Sequence, residues 1–256
     1  MKIGDLHKKE NRSNQQTLCD LKKYAKTLEF ERLLKQSLDV MDTYLNKARN
    51  PVISCGGGKD GTAALLLSKL VGADVKVLCA NPPNPLPDRE KHIENLKHWA
   101  GNEWIDIAYD WDVQGVLCGR EPYPDGLKMK VLSEYQKDND IDGVVFGIRA
   151  AESNSRRINL AMRGEIYETE NGTRCQPIAR WRAEHSLCLA LLMDAPINPV
   201  YIKMNGTGGM EQLHDGTWWP HGLQDGSGWI KKYYPEYAEV YEQALKIGAS
   251  SDECIY

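Results

Sequence analysis

Between Ile53 and Thr62 the chain reads Ile-Ser-Cys-Gly-Gly-Gly-Lys-Asp-Gly-Thr. Consecutive glycines reach backbone conformations closed to other residues and let a ligand come close to the main chain. Where such a loop opens a helix, the unpaired N–H groups of the first turn and the helix dipole favour an anion. Lys59 adds a mobile positive charge. Ser54, Gly56, Gly57, Gly58, Lys59, Asp60, Gly61 and Thr62 are therefore the candidate phosphate-binding residues. A carboxylate beside a phosphate needs a reason, and two are available for Asp60: it caps the helix, or it holds a magnesium ion bridging phosphate oxygens. The spacing matches neither GxxxxGK[ST] nor GxGxxG. A ligand-free glycine turn between strand and helix is the competing reading.

The flanking residues supply those elements. Pro51–Ser54 has the content of a short buried strand, and residues 62–70 carry apolar side chains at helical spacing. Further strands are expected at 75–80, 104–109 and 143–148, with helices at 88–99 and 127–137. The last of these strands, Gly-Val-Val-Phe-Gly-Ile, is nearly continuous in apolar character, as in parallel sheets buried on both faces. Alternating strands and helices imply an α/β fold with right-handed crossovers, in which ligands gather beyond the C-terminal ends of the strands. The polar candidates fall there: the glycine loop, Asn81, Asp110 with Asp112, and the run from Arg149 to Arg157. Upstream, Leu21, Tyr24, Leu28, Leu33, Leu34, Leu38, Met41 and Leu45 mark one or two helices that cover the sheet or offer a surface to a second copy.

The loop resembles the SGGKDS signature of the phosphoadenosine phosphosulfate reductase family, part of the N-type ATP pyrophosphatase (adenine nucleotide α-hydrolase-like) superfamily. Gly57, Gly58, Lys59 and Asp60 match it, whereas Gly56 and Gly61 stand in place of its two serines. Thr62 does not replace the second hydroxyl, since one residue along a helix turns the side chain by roughly 100°. Residues 77–88 resemble the family's VLHVDTGxxFPE segment, with Asn81 where aspartate is usual. Residues 147–157 resemble GxRxxES followed by arginine, residues 176–185 resemble PIxxWxxxDV, a strand followed by a helix, and residues 196–201 resemble PxNPLY.

The resemblance covers roughly residues 52–201. It implies a doubly wound, mostly parallel five-stranded sheet with helices on both faces. Around it come an N-terminal helical extension (1–48), a nucleotide-binding α/β domain (49–203), and an irregular Gly/Trp-rich C-terminal segment and helix (204–256) within the same globule. Lys59 and Arg149 are the implied catalytic cations. Asn81 would reach the nucleotide or a metal-bound water, and Glu152 would orient Arg149. Arg156 and Arg157 bind phosphate or stand on an exposed helix face. Lone on its helix, His185 reads as structural.

Three functions remain open. The first is ATP cleavage between the α and β phosphates with transfer of the adenylyl group to an unidentified acceptor in sulfur or nucleotide-modification chemistry, using ATP and Mg²⁺. The second is thioredoxin-dependent reduction of phosphoadenosine phosphosulfate, with Cys254 as the thiolate. The third is a catalytically degenerate nucleotide-binding subunit that regulates or docks to a partner.

Composition narrows the setting. The 256 residues suffice for one sizeable core, and a formal net charge of −4 argues against a general nucleic-acid surface. The seven cysteines are dispersed, with no CxxC pair to suggest a disulfide framework or a zinc site. No stretch has the length and apolarity of a membrane span, and the polar N-terminus has no signal core, so a cytoplasmic location is expected.

Overall fold

The computed structural model describes residues 14–83, 85–121, 126–203 and 227–248. Two N-terminal helices, α1 (Asn14–Tyr24) and α2 (Leu28–Leu45), precede β1 (Pro51–Ser54), α3 (Lys59–Leu70), β2 (Lys76–Asn81), α4 (Pro87–Ala100) and β3 (Trp104–Ala108). Then come α5 (Val113–Leu117), α6 (Leu127–Asp138), β4 (Gly143–Phe146), a 3-10 turn (Ala150–Glu152) and α7 (Asn154–Arg163). The chain continues through β5 (Ile166–Thr169), β6 (Gly172–Cys175), α8 (Ala183–Leu192) and α9 (Pro199–Lys203) to α10 (Ser227–Tyr233) and α11 (Ala238–Gly248).

The strands order as β3-β2-β1-β4-β6-β5. All pairings are parallel except β5 with β6, which is antiparallel. Strand order reverses between β1 and β4, so their C-terminal ends open a crevice at the topological switch point. The sheet thus has six strands where five were expected. Its sixth arises from the β5–β6 hairpin, closed by a turn at Glu170-Asn171 with Thr169 paired to Gly172. The strand anticipated at the start of 176–185 ends instead at Cys175, before the helix at Ala183.

Alternation along the strands divides the core. Ile53, Val77 and Val145 face one layer with Leu65, Leu66, Leu187 and Leu189 of α3 and α8, and with Leu21, Phe30 and Met41 of the N-terminal helices. Val52, Leu78 and Val144 face the other, against Leu132 of α6. Helix α3 is buried nearly all round, from Ala63 to Ser68, which places it centrally rather than at the surface. Each fully buried leucine there contributes about 1.5–3 kcal/mol. The N-terminal pair and α10–α11, through Ile230, Tyr234 and Tyr241, belong to this same first core.

Burying α3 sets its entry point. A β-carbon on Gly147, just past β4, would lie 2.2 Å from the Asp60 carbonyl oxygen and 2.5 Å from the Gly61 nitrogen. Only a bare backbone lets the end of β4 lie against the first turn of α3. Gly147→Ala is expected to lower stability in urea unfolding by about 3 kcal/mol or more, beyond the ~1–3 kcal/mol of ordinary overpacking, because backbone rather than a side chain must shift.

Candidate functional site

The loop leaves β1 at Cys55 and enters α3 with Gly58 as N-cap. Gly57 takes φ +83°, and a side chain there would meet Ile93 and His92 of α4. Helix α3 begins at Lys59, three residues before the apolar run, so Lys59, Asp60 and Gly61 form its first turn. Asp60 therefore sits inside the helix and does not cap it. Ser54, Gly56, Gly58, Asp60 and Gly61 are partly open, whereas Cys55, Gly57, Lys59 and Thr62 are buried.

Asp60 is the meeting point. Its Oδ1 pairs with Arg149 Nε at 2.9 Å and accepts the Ser186 hydroxyl at 2.7 Å, while Oδ2 lies 3.0 Å from Lys59 Nζ. The Lys59 and Arg149 side chains are 2% and 0% exposed. Burial would raise the Asp60 pKa, but Lys59, Arg149 and the hydrogen bonds from Ser186 and Lys59 outweigh it and hold the carboxyl below its ordinary value. Lys59 is thus a fixed charge and not the mobile one expected from sequence. Its backbone N–H donates to the Tyr201 phenol at 2.7 Å, and its ammonium lies 5.5 Å from that ring's centre.

Glu152 ties down the other end of the guanidinium. Its carboxylate accepts the Arg149 backbone N–H at 3.0 Å, lies 3.5 Å from Arg149 Nη2, and pairs with Arg156. Lys59, Arg149 and Arg156 thus gather around Asp60 and Glu152. Arg157 is exposed and donates to Asn154, apart from this group. Asn81 is absorbed by its surroundings: Oδ1 accepts from Arg89 (3.3 Å) and the Cys79 thiol (3.3 Å), and Nδ2 donates to Asp106 (3.2 Å).

Magnesium fits Asp60 poorly, because two cations and a hydroxyl already occupy its oxygens. Among the described residues no group of three or more His, Cys, Asp or Glu could hold a metal. Cys55, beneath the loop, has its thiol pushed up to about 12, chiefly by burial. Cys254 and the Gly/Trp-rich stretch lie outside the described residues. No described helix is long and apolar enough to cross a membrane. His185 accepts the Arg182 N–H at 3.0 Å and stacks on Tyr24, a capping and packing role.

Sequence reasoning passed over Ser186 and His92. Ser186 is 126 residues from Asp60, and no local spacing could reveal it. His92 lies on α4, with its buried ring against Gly57. Tyr201 belongs to the PxNPLY-like turn, and only the fold shows that its phenol meets the helix N-terminus.

Comparison with known proteins agrees with this fold. Residues 50–211 match the model of the phosphoadenosine phosphosulfate reductase domain, and the chain belongs to that family. Among solved structures, phosphoadenylyl-sulfate reductase from Candida auris, a phosphate complex, superposes with a TM-score of 0.51 at 11% identity, covering 68% of this chain and 90% of that one. FMN adenylyltransferase from Candida glabrata in complex with ATP gives 0.51 at 17% identity over 78% and 68% of the two chains. NMN synthetase from Francisella tularensis gives 0.51 at 16% identity over 87% and 94%. At these identities the likeness is one of fold. No curated protein matches the sequence.

His92 gives the site a pH signature. Burial lowers its pKa from 6.5 to about 4, so the folded protein keeps it neutral while the unfolded chain binds a proton below about 6.5. Its contribution is full above pH 6.5 and is lost as pH falls toward 4, by about 3 kcal/mol in all. Urea unfolding from pH 7 to 4.5 should show this loss, and His92→Gln should flatten the profile across that window; an unchanged slope would place the titration elsewhere.

Proposed function

We propose that the crevice between the ends of β1 and β4 binds the phosphates of an adenine nucleotide, and that the protein cleaves ATP between its α and β phosphates. The observation that carries this reading is the convergence of the glycine loop, the first turn of α3 and buried Arg149 on one carboxylate at the switch point. Family membership, and a fold shared with an enzyme solved with ATP and another solved with phosphate, support it.

In this reading the first-turn N–H groups of α3 other than that of Lys59, which Tyr201 takes, receive the β and γ phosphates with the helix dipole, and Lys59 and Arg149 supply the compensating charge. A nucleophile on the acceptor attacks the α phosphorus. The bond from that phosphorus to the bridging oxygen breaks, pyrophosphate leaves, and the acceptor carries the adenylyl group. The protein's part is placement and charge. Magnesium would arrive on the nucleotide phosphates, consistent with the engagement of Asp60 by Lys59 and Arg149. We place the chain in the cytoplasm, with an adenine nucleotide and a small acceptor as its ligands. Its proposed parts are a helical extension at 1–48, the nucleotide-binding domain at 49–203 and a C-terminal segment at 204–256.

The family match keeps a second reading in view, reduction of phosphoadenosine phosphosulfate. It requires a reactive thiolate, and the cysteine at the site, Cys55, is held as a thiol. That role would fall to Cys254.

Calorimetry with ATP, phosphoadenosine phosphosulfate and adenosine bisphosphate, each with and without Mg²⁺, separates the possibilities. ATP binding, with pyrophosphate release once an acceptor is added, is the expected result. Selective bisphosphate binding that depends on the last five residues would favour reduction, and absence of binding at millimolar nucleotide would overturn both. Lys59→Ala and Arg149→Ala should each weaken nucleotide binding by more than about 1 kcal/mol. Thermal unfolding of both variants must accompany the titration, because both side chains are buried.

A further inference from the structure

Behind the glycine loop, α4 and the turn at 196–199 enclose a pocket of about 320 Å³. That volume is within the range of small-molecule sites, about 300–1,000 Å³. Pro196, Ile197 and Pro199 give it an apolar side, and Lys91 and Asn95 a polar one. Its carboxylate, Asp88, is paired with Lys203 and hydrogen-bonded by the Tyr234 phenol, so it repels an anion little. His92 forms part of the wall and is held neutral by burial.

That wall is not backed by packed side chains. His92, Pro196 and Ile197 also border an inner cavity of about 10 Å³, walled on its far side by Lys59, Thr62, Ser186 and Asn198. Asn198 is 1% exposed, and its Oδ1 accepts the Val200 N–H at 3.1 Å. Its Nδ2 has no hydrogen-bond partner, so the cavity presents a donor and has room for about one water molecule. A wall with such a space behind it can move, and its other contact is the phosphate loop. A β-carbon at Gly57 would lie 3.4 Å from His92 Cδ2, so the ring rests directly on the loop backbone.

We propose that the pocket between α4 and the 196–199 turn is a second binding site, for a small organic carboxylate with an apolar body, and that its occupancy is transmitted to Gly57 through His92. The body lies on Pro196, Ile197 and Pro199, and the carboxylate takes the Lys91 ammonium and the Asn95 amide. Occupancy displaces the His92 ring toward the inner cavity, and the loop follows. The site is separate from the nucleotide crevice and stands whether or not ATP is the substrate there.

The test is amide NMR of the full chain titrated with sodium benzoate as the probe and benzamide as its uncharged counterpart. Saturable shifts at Asn95, Ile197 and Gly57 are expected with benzoate, with benzamide at least tenfold weaker. Ile197→Trp, which fills the pocket, should abolish all three shifts, and Lys91→Met should weaken binding at least tenfold. His92→Ala should keep the shifts at Asn95 and Ile197 and lose the one at Gly57. Inorganic phosphate should shift Gly57 without Asn95, which distinguishes loop binding from pocket binding. Shifts that stay linear into tens of millimolar benzoate, or that persist unchanged in both Ile197→Trp and Lys91→Met, would overturn the site. A Gly57 shift retained in His92→Ala would overturn the coupling. If Ile197→Trp does not fold, exposed Lys91→Met decides.

Discussion

The ion pairs on Asp60 join pieces of chain that nothing local would bring together. Asp60 belongs to the first turn of α3, Arg149 follows β4, and Ser186 lies on α8. One carboxylate thereby fixes the entry of the central helix against the neighbouring strand and against the helix packed on it. Burying these charges is costly, and they are tolerated because each is paired at short range and the carboxylate's remaining capacity is taken by a hydroxyl. Removing the carboxylate would strip both buried cations of their shared partner and leave Arg149 to Glu152, and breaking a buried pair in this way costs about 3–5 kcal/mol. Gly147 belongs to the same construction, since the guanidinium reaches Asp60 only because β4 ends directly against the helix.

This arrangement changes what the lysine of the loop does. From sequence it is a flexible cation beside glycines. In the fold its side chain turns inward, held between Asp60 and the Tyr201 ring, and its amide is taken by the Tyr201 phenol. Its charge still contributes to the field at the helix N-terminus, since a fixed buried charge is screened less than a solvated one. The partly open positions of the loop are Ser54, Gly56, Gly58, Asp60 and Gly61, and with the Asp60 carboxylate engaged, ligand approach falls chiefly to backbone groups.

Much of the architecture could be read from residue patterns. The strands at the centre of the sheet are short apolar runs bounded by turn residues, and the crevice follows from their order. The β5–β6 hairpin was missed because its strands, Ile-Tyr-Glu-Thr and Gly-Thr-Arg-Cys, are only partly apolar; the Asn-Gly step where the turn passes into β6 was the available signal. The loop and Arg149 were legible as well, because chemistry and position coincide there. What sequence could not give is side-chain direction. Asn81, at the end of β2, bonds buried Arg89 and links it to Asp106, contacts that its sequence position does not reveal, and Ser186 is visible only once α8 is packed on α3.

The loss of two hydroxyls from the loop can be weighed against this frame. At Gly61 a β-carbon would lie 3.1 Å from the Cys55 backbone and 3.2 Å from the Ser54 carbonyl oxygen, a tight fit into which glycine settles without displacement. The nearby hydroxyl of Ser186 donates to Asp60 and so is committed to the ion-pair cluster. In the proposed nucleotide site, phosphate would therefore be held by amides, the helix dipole and fixed charge. Such groups attract a polyphosphate before and during reaction to a similar degree, whereas acceleration needs contacts that strengthen only as the bond to the leaving pyrophosphate breaks. On that proposal the donors present suit an anion receptor, and any preference for the transition state would have to come from the geometry of Arg149 and from the acceptor that completes the site.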